Sequence, residues 1–370
     1  MNTKAKVKFG GRERSQFYPT LKKRIDQYFI DNNISKHANS AMVIKTIVMF
    51  AMYIVPFIVL LAVQPGVGIS MLLWTIMGFG VAGIGMSVMH DGNHGAYSGN
   101  DRVNYLIGHA VNLLGGSAYN WKVQHNVLHH TYTNIRHMDE DIDDKPMLRF
   151  SPHAKVKFYH RLQWIYAFFF YGILTLYWVV AKDFVQYAKY TREGLAAAST
   201  QKNIIILLKI IAVKLIYFFI IIAVPVLFFG LPLLPVIAGF LIMHFIAGLV
   251  LTTTFQLAHS VEGTTHPLPD EKGNIENEWA IHQLNTTVNF SPKNKLLSWY
   301  VGGLNFQVEH HLFPTISHVH YPKIAGIVKA TAEEFNVPYL ENKTVGKALR
   351  SHISALQTYG RMPDLNEAIG

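Results

Sequence analysis

Histidines in this chain are concentrated in three short groups whose spacing suits metal binding. Of the 19 histidines, seven lie in these groups, and a glutamine stands three residues before the last pair. The groups are His90 and His94; His125, His129 and His130; and Gln307, His310 and His311. Residues four apart on an α-helix lie one turn above each other on the same face. Each group can therefore aim imidazoles, and the third also an amide oxygen, at one metal centre.

The alternative is that these histidines are ordinary polar residues near a membrane surface. Imidazoles packed together repel one another when protonated, and when buried and neutral they lose hydrogen bonds that they would make with water. A bound cation removes both costs. The grouped histidines are therefore predicted to be metal ligands. The ungrouped ones are predicted to be interfacial polar residues: His37, His109, His153, His160, His244 and His352. His318 and His320, which follow the third group, are predicted to lie at the surface.

The residue types favour two redox-active metal ions. The chain has no cysteine, which excludes thiolate and iron–sulfur sites and leaves imidazole, carboxylate and amide ligands. Seven histidines exceed the ligands of one zinc ion, and the zinc-protease spacing H-E-x-x-H is absent. Imidazole suits iron, and two irons with open positions can activate dioxygen. Asp91, Asn93 and Glu309 are predicted to hold the ligating imidazoles in orientation.

Long apolar stretches must position these groups. Half of the residues are hydrophobic and 15% are charged, whereas soluble domains average about 25% charged residues. A spanning helix needs roughly 20 mostly apolar residues. Four stretches qualify and form two hairpins with short turns: about Met42 to Val63, Gly68 to Met89, Ile204 to Phe229, and Leu233 to Leu257.

Two further apolar stretches are predicted to lie in or along the membrane surface without crossing. Tyr105 to Gly116 is too short to cross, and Leu162 to Ala181 is dense in aromatic residues that favour the interface. With both excluded, all three histidine groups fall on one side of the membrane. The sequence therefore predicts an all-α membrane protein with four transmembrane helices in two hairpins, and a cytoplasmic helical cap that holds a di-iron site.

Basic residues before the first span place that side in the cytoplasm by the positive-inside rule, next to anionic head groups. They are Lys4, Lys6, Lys8, Arg12, Arg14, Lys22, Lys23, Arg24 and Lys36. The predicted organisation is a cytoplasmic segment (1–41), a transmembrane region (42–259) whose cytoplasmic loop (90–203) carries the first two groups, and a cytoplasmic cap (260–370) with the third. We expect no cleavable signal peptide and no nucleic-acid binding, since no recognition motif accompanies the basic residues.

The three groups, their order and the two hairpins resemble the membrane fatty-acid desaturase family, whose histidine groups are called boxes. Two strings sharpen the likeness: H-N-V-L-H-H-T-Y-T-N from His125 to Asn134, and N-F-Q-V-E-H-H-L-F-P from Asn305 to Pro314. They are similar to the bacterial linoleoyl-CoA or front-end (delta-6-like) branch, in which Gln replaces the first His of the third box. The resemblance covers residues 10 to 355.

This resemblance implies a di-iron enzyme that uses O2 and two electrons to insert a cis double bond into a long acyl chain, carried as acyl-CoA or acyl-lipid. It implies another metal ligand just after the last span, where His259 stands, with His282 as a weaker candidate beside the ligands. The H-P-G-G haem signature of fused front-end enzymes is absent. A separate electron donor is therefore expected, either a b-type cytochrome or a ferredoxin with its reductase.

Several alternatives stay open at this point. Lipid hydroxylases and ketolases share histidine boxes, and only the two strings favour a desaturase. A histidine-rich metal transporter would need ligands near the bilayer midplane, where His244 alone lies. The acidic run from Asp139 to Asp144 is interpreted as a solvated loop, with docking of a basic electron-transfer protein or cation binding as alternatives. Trp121 and Phe306 either line the acyl tunnel or serve as ordinary packing.

Overall fold

The computed structural model describes residues 7–10, 15–142, 146–195 and 199–363, and their structure is mainly helical. Lys4, Lys6, Arg12 and Arg14 of the basic segment, and Asp143 and Asp144 of the acidic run, lie outside the described residues. The helices are α1 (Phe17–Asp31), α2 (Ser40–Val63), α3 (Val67–Asn93), α4 (Asp101–Gly108), α5 (Ala110–Leu113), α6 (Ala118–Trp121), a π-helix (Lys122–His129), α7 (His130–Tyr132), α8 (Phe158–Glu193), α9 (Thr200–Phe228), α10 (Leu233–His259), α11 (Trp279–Thr286), α12 (Lys295–Tyr300), α13 (Gln307–Leu312), a 3₁₀ turn (His318–His320), α14 (Tyr321–Glu334) and α15 (Val345–Arg361).

Five helices in the described part of the chain are long and apolar enough to cross a membrane: α2, α3, α8, α9 and α10. Four of them coincide with the stretches predicted to span. The fifth, α8, contains the aromatic stretch that was predicted to lie in the interface, and it qualifies with 36 residues and a mean hydropathy of 1.7. The other interfacial stretch forms only the short helices α4 and α5.

The α2–α3 hairpin follows from local sequence. The Asn39 side chain accepts a hydrogen bond from the backbone N–H of Met42 and caps the start of α2. The helix ends at Val63, and the next residue, Gln64, adopts a left-handed conformation with φ of 48° immediately before Pro65. At Gly80 of α3, an added Cβ would lie 2.8 Å from the backbone nitrogen of Tyr53. Only glycine therefore permits this close approach of α3 to α2.

The chain divides into two compact units. The first unit contains Met1–Lys36, Gln124–Ala167 and Thr254–Gly370, and the second contains His37–Val123 and Phe168–Thr253. The second unit holds most of the apolar helices and box one. The first unit holds boxes two and three together with His259.

A buried ion pair lies in the second unit, between the side chains of Lys214 on α9 and Asp183 on α8. The ammonium donates to the Asp183 carboxylate at 2.5 Å and to the carbonyl oxygen of Gly115 at 2.6 Å. The carboxylate also accepts from the backbone N–H of Ser117 at 3.1 Å. A charge in an apolar helix is tolerated when it is paired and hydrogen-bonded. This explains how Lys214, which interrupts the predicted third span, is accommodated.

His244 lies deep in α10 and belongs to a buried hydrogen-bonded cluster in the second unit. Its Nε2 lies 2.7 Å from the hydroxyl of Tyr217 on α9, and its backbone carbonyl accepts from the hydroxyl of Thr175 on α8 at 2.6 Å. His244 is 1% exposed, so it is a satisfied core residue rather than the interfacial one that was predicted.

The core of the first unit includes one face of α1. Phe17, Leu21, Ile25 and Phe29 recur every four residues and are all buried, so they form a stripe along one side of the helix. This stripe belongs to the same apolar cluster as Ile324 and other residues of α14. Part of the predicted N-terminal cytoplasmic segment is therefore a packed structural element.

Short parallel strands and a buried arginine complete the first unit. Strand β1 (Lys8–Phe9) pairs with β2 (Asn274–Ile275), and β3 (Asn289–Phe290) pairs with β4 (Glu341–Asn342). The guanidinium of Arg149, which is fully buried, donates to backbone carbonyl oxygens both in its own loop and after α15. These contacts tie the C-terminal helix to the segment that follows box two.

Alanine in place of Leu21 is expected to lower the free energy of unfolding by about 2–5 kcal/mol, because it removes a fully buried side chain and leaves a cavity. The melting temperature of the detergent-solubilised protein should fall accordingly. Ile30→Ala on the same helix is the control, since Ile30 is 69% exposed. Equal melting temperatures for the two variants would contradict the packing of α1.

Candidate metal centre

Box one lies at the C-terminal end of α3 in the second unit. The ring centroids of His90 and His94 are 4.7 Å apart, as expected for residues one helical turn apart. The indole of Trp121 approaches both rings edge-on, at centroid distances of 5.6 and 5.7 Å. Trp121 thus forms an apolar wall beside box one.

The two residues between these histidines that were predicted to orient them, Asp91 and Asn93, are both buried. Asn93 donates through Nδ2 to the carbonyl oxygen of Gly108 at 3.0 Å, which fastens α4 to the box.

Box two belongs to a π-helix rather than to the α-helix that its spacing predicts. The π-helix runs from Lys122 to His129, and His130 begins the next turn. Other π-helical stretches lie within α3, α8 and α9. The ring of His125 lies 5.1 Å from that of His129 and 4.8 Å from that of His130. The wider turn therefore brings all three imidazoles together.

Box three is the short helix α13, in which every residue is buried. His310 and His311 are adjacent in sequence, with ring centroids 5.4 Å apart. Gln307 is 1% exposed, and its Oε1 has no hydrogen-bond partner within the described residues. A buried amide oxygen without a hydrogen-bond partner is suited to bind a metal ion, because burying an unsatisfied polar atom otherwise costs free energy.

The first unit brings boxes two and three together with His259, the last residue of α10. Candidate ligand atoms lie within 4.8 Å of one another in three groups: His129, His259 and His311; His130, His310 and His311; and His125, His129 and Asp141. His129 and His311 each belong to two of these groups. Each of these groups could hold a metal ion, and together they include residues of both boxes and His259.

Each of five imidazoles in the first unit is oriented through Nδ1. His129 donates to Asp139 and His125 to Asp141, both at 3.0 Å. The remaining three pairs are His259 with the carbonyl oxygen of Thr286 at 3.2 Å, His310 with the hydroxyl of Tyr321 at 3.2 Å, and His311 with Oε1 of Gln283 at 2.7 Å. A metal-binding histidine commonly donates its second ring N–H in this way. Nε2 is then the nitrogen that faces a metal.

Two of these nitrogens provide a test of whether the residues fit a cation. His129 and His259 are both fully buried, and in the described part of the chain neither Nε2 has a hydrogen-bond partner. Leaving two buried nitrogen lone pairs unsatisfied side by side costs free energy. A bound cation would satisfy both, so the donor set fits a metal with a preference for imidazole.

The local charge also favours a cation. Burial by itself lowers the pKa of His129, but the neighbouring Asp139 and Asp141 outweigh it, and the pKa is raised above its ordinary value. Asp139 is 1% exposed. The two carboxylates thus supply negative charge directly behind the imidazoles of box two.

The position of these carboxylates corrects the interpretation of the acidic run as a solvated loop. Asp139 also accepts hydrogen bonds from the backbone N–H groups of Asn134 and Asp141, and Asp141 accepts one from the side chain of Gln124. The described part of the run, from Asp139 to Ile142, therefore folds back on box two. The carboxylates of Asp139 and Asp141 are engaged with the imidazoles of His129 and His125.

Glu309 and His282 contact different groups from those expected. The Glu309 carboxylate accepts from Nδ2 of Asn289 at 2.7 Å and from the hydroxyl of Tyr339 at 2.9 Å, and from no imidazole among the described residues. Burial raises the pKa of Glu309 to about 7. His282 donates through Nε2 to the carbonyl oxygen of Thr133 at 2.8 Å, and it joins none of the ligand groups found in the described chain.

The predicted exposure of several ungrouped histidines is wrong. His318 and His320 are 3% and 7% exposed, and His320 packs edge-on against Phe29. His352 is fully buried and donates through Nδ1 to the carbonyl oxygen of Ser260 at 2.6 Å. These residues lie in the folded core of the first unit, where backbone acceptors satisfy polar side chains.

Helix α11 was not identified from the sequence as part of the site. The indole of Trp279 and the amide of Gln283 both donate to the carbonyl oxygen of His130, and Thr286 accepts from His259. A signal was present: Gln283, Thr286 and Thr287 are polar residues close together in sequence, and all three are buried. Buried polar residues need partners, and for Gln283 these partners lie in boxes two and three.

Comparison with known proteins gives concordant matches over most of the chain. Residues 67–343 match the family model described as fatty acid desaturase. A relative named sn-1 linoleoyl-lipid 6-desaturase, from Arthrospira platensis, is 37% identical over 98% of this chain and 97% of its own length. One with the same name from Synechocystis sp. is 32% identical over 98% and 99%. An acyl-lipid (8-3)-desaturase from Physcomitrium patens is 33% identical over 96% of this chain and 74% of its own.

Proposed function

Because the chain belongs to the fatty acid desaturase family, we propose that it inserts a cis double bond into a long acyl chain that is esterified in a membrane lipid. The family resemblance predicted from the two sequence strings is confirmed, and so is the assignment as an oxidoreductase that introduces double bonds. The observation that carries the choice of an acyl-lipid over an acyl-CoA is the near-complete match to two relatives named linoleoyl-lipid desaturases.

The proposed cofactor is a pair of iron ions. The proposed ligands are His90, His94, His125, His129, His130, His259, Gln307, His310 and His311. Support for the first-unit members comes from the three overlapping ligand groups, the oriented Nδ1 atoms and the buried Nε2 atoms of His129 and His259. The sequence resemblance adds His90 and His94. When bound, the irons supply the dioxygen chemistry that no side chain can perform on unactivated C–H bonds.

The residues of the chain orient the site and keep water out. The reaction takes two hydrogens from adjacent carbons and reduces O2 to two waters, so two further electrons and two protons must be supplied. Asp139 and Asp141 hold the imidazoles of His129 and His125 through Nδ1–H. The ring of Phe255 lies against those of His129 and His259 at 4.9 and 4.8 Å, which shields this side of the ligands from solvent. The electrons are proposed to come from a separate b-type cytochrome, or from a ferredoxin with its reductase.

For the topology we propose four crossings, with α8 lying in the interface and the boxes on the cytoplasmic side. Box two precedes α8 and box three follows α10, yet His130, His310 and His311 lie together in one ligand group of the first unit. Crossings by all of α8, α9 and α10 would put these residues on opposite sides of the membrane. The basic segment before α2 supports the cytoplasmic side. The predicted boundaries at residues 41 and 259, with the cap from 260, follow from this topology.

Expression of the full chain in a host of known lipid composition, together with an electron donor, tests the activity. A new unsaturated fatty acid should appear, and separation of lipid classes before hydrolysis should find it first in intact glycerolipids. Accumulation first in the acyl-CoA pool would contradict the lipid-linked substrate. A hydroxylated product in place of an unsaturated one would contradict cis desaturation as the reaction of this chain.

A further inference from the structure

Helix α11 supplies a glutamine that contacts both box two and box three within the first unit. Gln283 is fully buried. Its Oε1 lies 2.7 Å from Nδ1 of His311, and its Nε2 donates to the backbone carbonyl oxygen of His130 at 3.3 Å. One amide therefore joins the main chain of one box to a side chain of the other.

The orientation of this amide is fixed by its partners. The carbonyl oxygen of His130 can only accept, so the group facing it must be the NH2 of Gln283. The oxygen Oε1 consequently faces His311, whose Nδ1 must carry the proton. With the proton on Nδ1, the lone pair of His311 lies on Nε2. Gln283 thus selects the tautomer in which His311 can act as a ligand through Nε2.

Neighbouring side chains of α11 hold Gln283 against box two. The indole of Trp279 donates to the same carbonyl oxygen of His130 at 3.0 Å, and His282 donates to that of Thr133 at 2.8 Å. These two contacts hold α11 against box two, so the backbone of Gln283 is fixed beside His311. His311 belongs to two of the ligand groups, so its orientation affects the geometry of both groups.

We propose that Gln283 is a positioning residue for the metal centre, acting by fixing the tautomer and ring orientation of His311. This inference rests on the proposed metal centre and adds to it a residue that does not touch the metal. Removing the partner of a ligating histidine typically lowers metal affinity about 10–100-fold. Gln283→Leu keeps the size of the side chain and removes the hydrogen bonds of the amide with His311, His130 and the hydroxyl of Thr133, so a loss in that range is expected.

A matched control exists in the same unit. Gln163 is also fully buried, and its amide likewise makes hydrogen bonds with the backbone, at Arg149 and Leu356. It contacts no box histidine among the described residues. Gln163→Leu should therefore lower thermal stability without changing metal binding. Gln283→Glu is a rescue variant, because it retains an acceptor for the Nδ1–H of His311 and should recover most of the affinity.

The experiment measures Co²⁺ binding by the full-length, metal-depleted protein in detergent, through its affinity and the visible absorption of the bound ion. We expect Gln283→Leu to bind about 10–100-fold more weakly with an altered spectrum, and Gln163→Leu to match the wild type in both. If Gln283→Leu does not fold, Gln283→Asn, whose amide reaches one methylene less far, is expected to change binding in the same direction.

Wild-type affinity and spectrum in the Gln283 variants would overturn the positioning role and leave the metal centre standing. An equal loss in Gln163→Leu would also overturn it, since the effect would then reflect general destabilisation. If the wild-type protein bound no Co²⁺, the proposed metal centre would fail, and the role of Gln283 with it.

Discussion

Alanine in place of His129 is expected to abolish desaturation and to deplete the purified protein of iron. His129 is fully buried, belongs to two of the three ligand groups in the first unit, and is held by Asp139. Loss of a residue that only orients a ligand lowers metal affinity or activity about 10–100-fold, so loss of the ligand itself should exceed about 100-fold. Fatty-acid profiling of the expression host and elemental analysis of the purified protein measure the two effects.

The matched control is His109→Ala. His109 closes α4, its Nδ1 lies 2.7 Å from the carbonyl oxygen of Tyr105, and it belongs to no ligand group in the described chain. It should keep the wild-type product and about two irons per chain, as a two-metal site requires. Wild-type iron content and product in His129→Ala would refute its role as a ligand. Full activity of a protein loaded only with zinc would refute the redox cofactor.

Asp139→Asn is expected to weaken iron retention and lower the desaturation rate about 10–100-fold. Both carboxylate oxygens of Asp139 lie 3.0 Å from Nδ1 of His129, and the carboxylate also accepts from the backbone N–H of Asn134 at 2.9 Å. An amide removes the negative charge and turns an NH2 group towards one of these donors. Dialysis against a chelator, followed by elemental analysis, measures iron retention.

Asp270→Asn makes the same exchange in an exposed turn of the first unit. Asp270 accepts from the backbone N–H groups of Lys272 and Asn274 at 2.9 and 2.7 Å, and it contacts no imidazole within the described residues. We expect this variant to retain iron as the wild type does. Unchanged retention in Asp139→Asn would show that the carboxylate is dispensable. A similar loss in both variants would point to destabilisation instead of a specific effect on the ligand.

Local spacing and apolar length were sufficient to locate the boxes and four of the five long apolar helices. Histidines four apart are visible in any sequence, and a run of about 20 apolar residues leaves few alternatives to a spanning helix. His259 was reached only through the family resemblance, because no neighbouring histidine marks it. The structure then places it with His129 and His311.

The partners of the ligands could not be read from the sequence, because they are set by tertiary contacts. The contact from Gln283 to His311 crosses 28 residues, and the amide of Gln283 reaches the carbonyl oxygen of His130 across 153. Glu309 directly precedes two ligands yet bonds to Asn289 and Tyr339. A prediction from polarity alone also placed His318 at the surface, whereas it is buried in the core of the first unit. Hydropathy predicts exposure on average, whereas burial of a given polar side chain depends on a partner distant in sequence.

Because box two lies in a π-helix, the directions in which its histidines point depend on the number of residues in the segment as well as on their types. A π-turn is closed by i→i+5 hydrogen bonds and so contains about one residue more than an α-turn. Loss of one residue between His125 and His129 would restore an ordinary turn and rotate the histidines that follow by about 100°. Point substitutions within Asn126–Val127–Leu128 leave that register intact, whereas insertions and deletions do not. We therefore expect the directions of the box-two histidines to tolerate exchanges of residue at constant length in this segment, and not changes of its length.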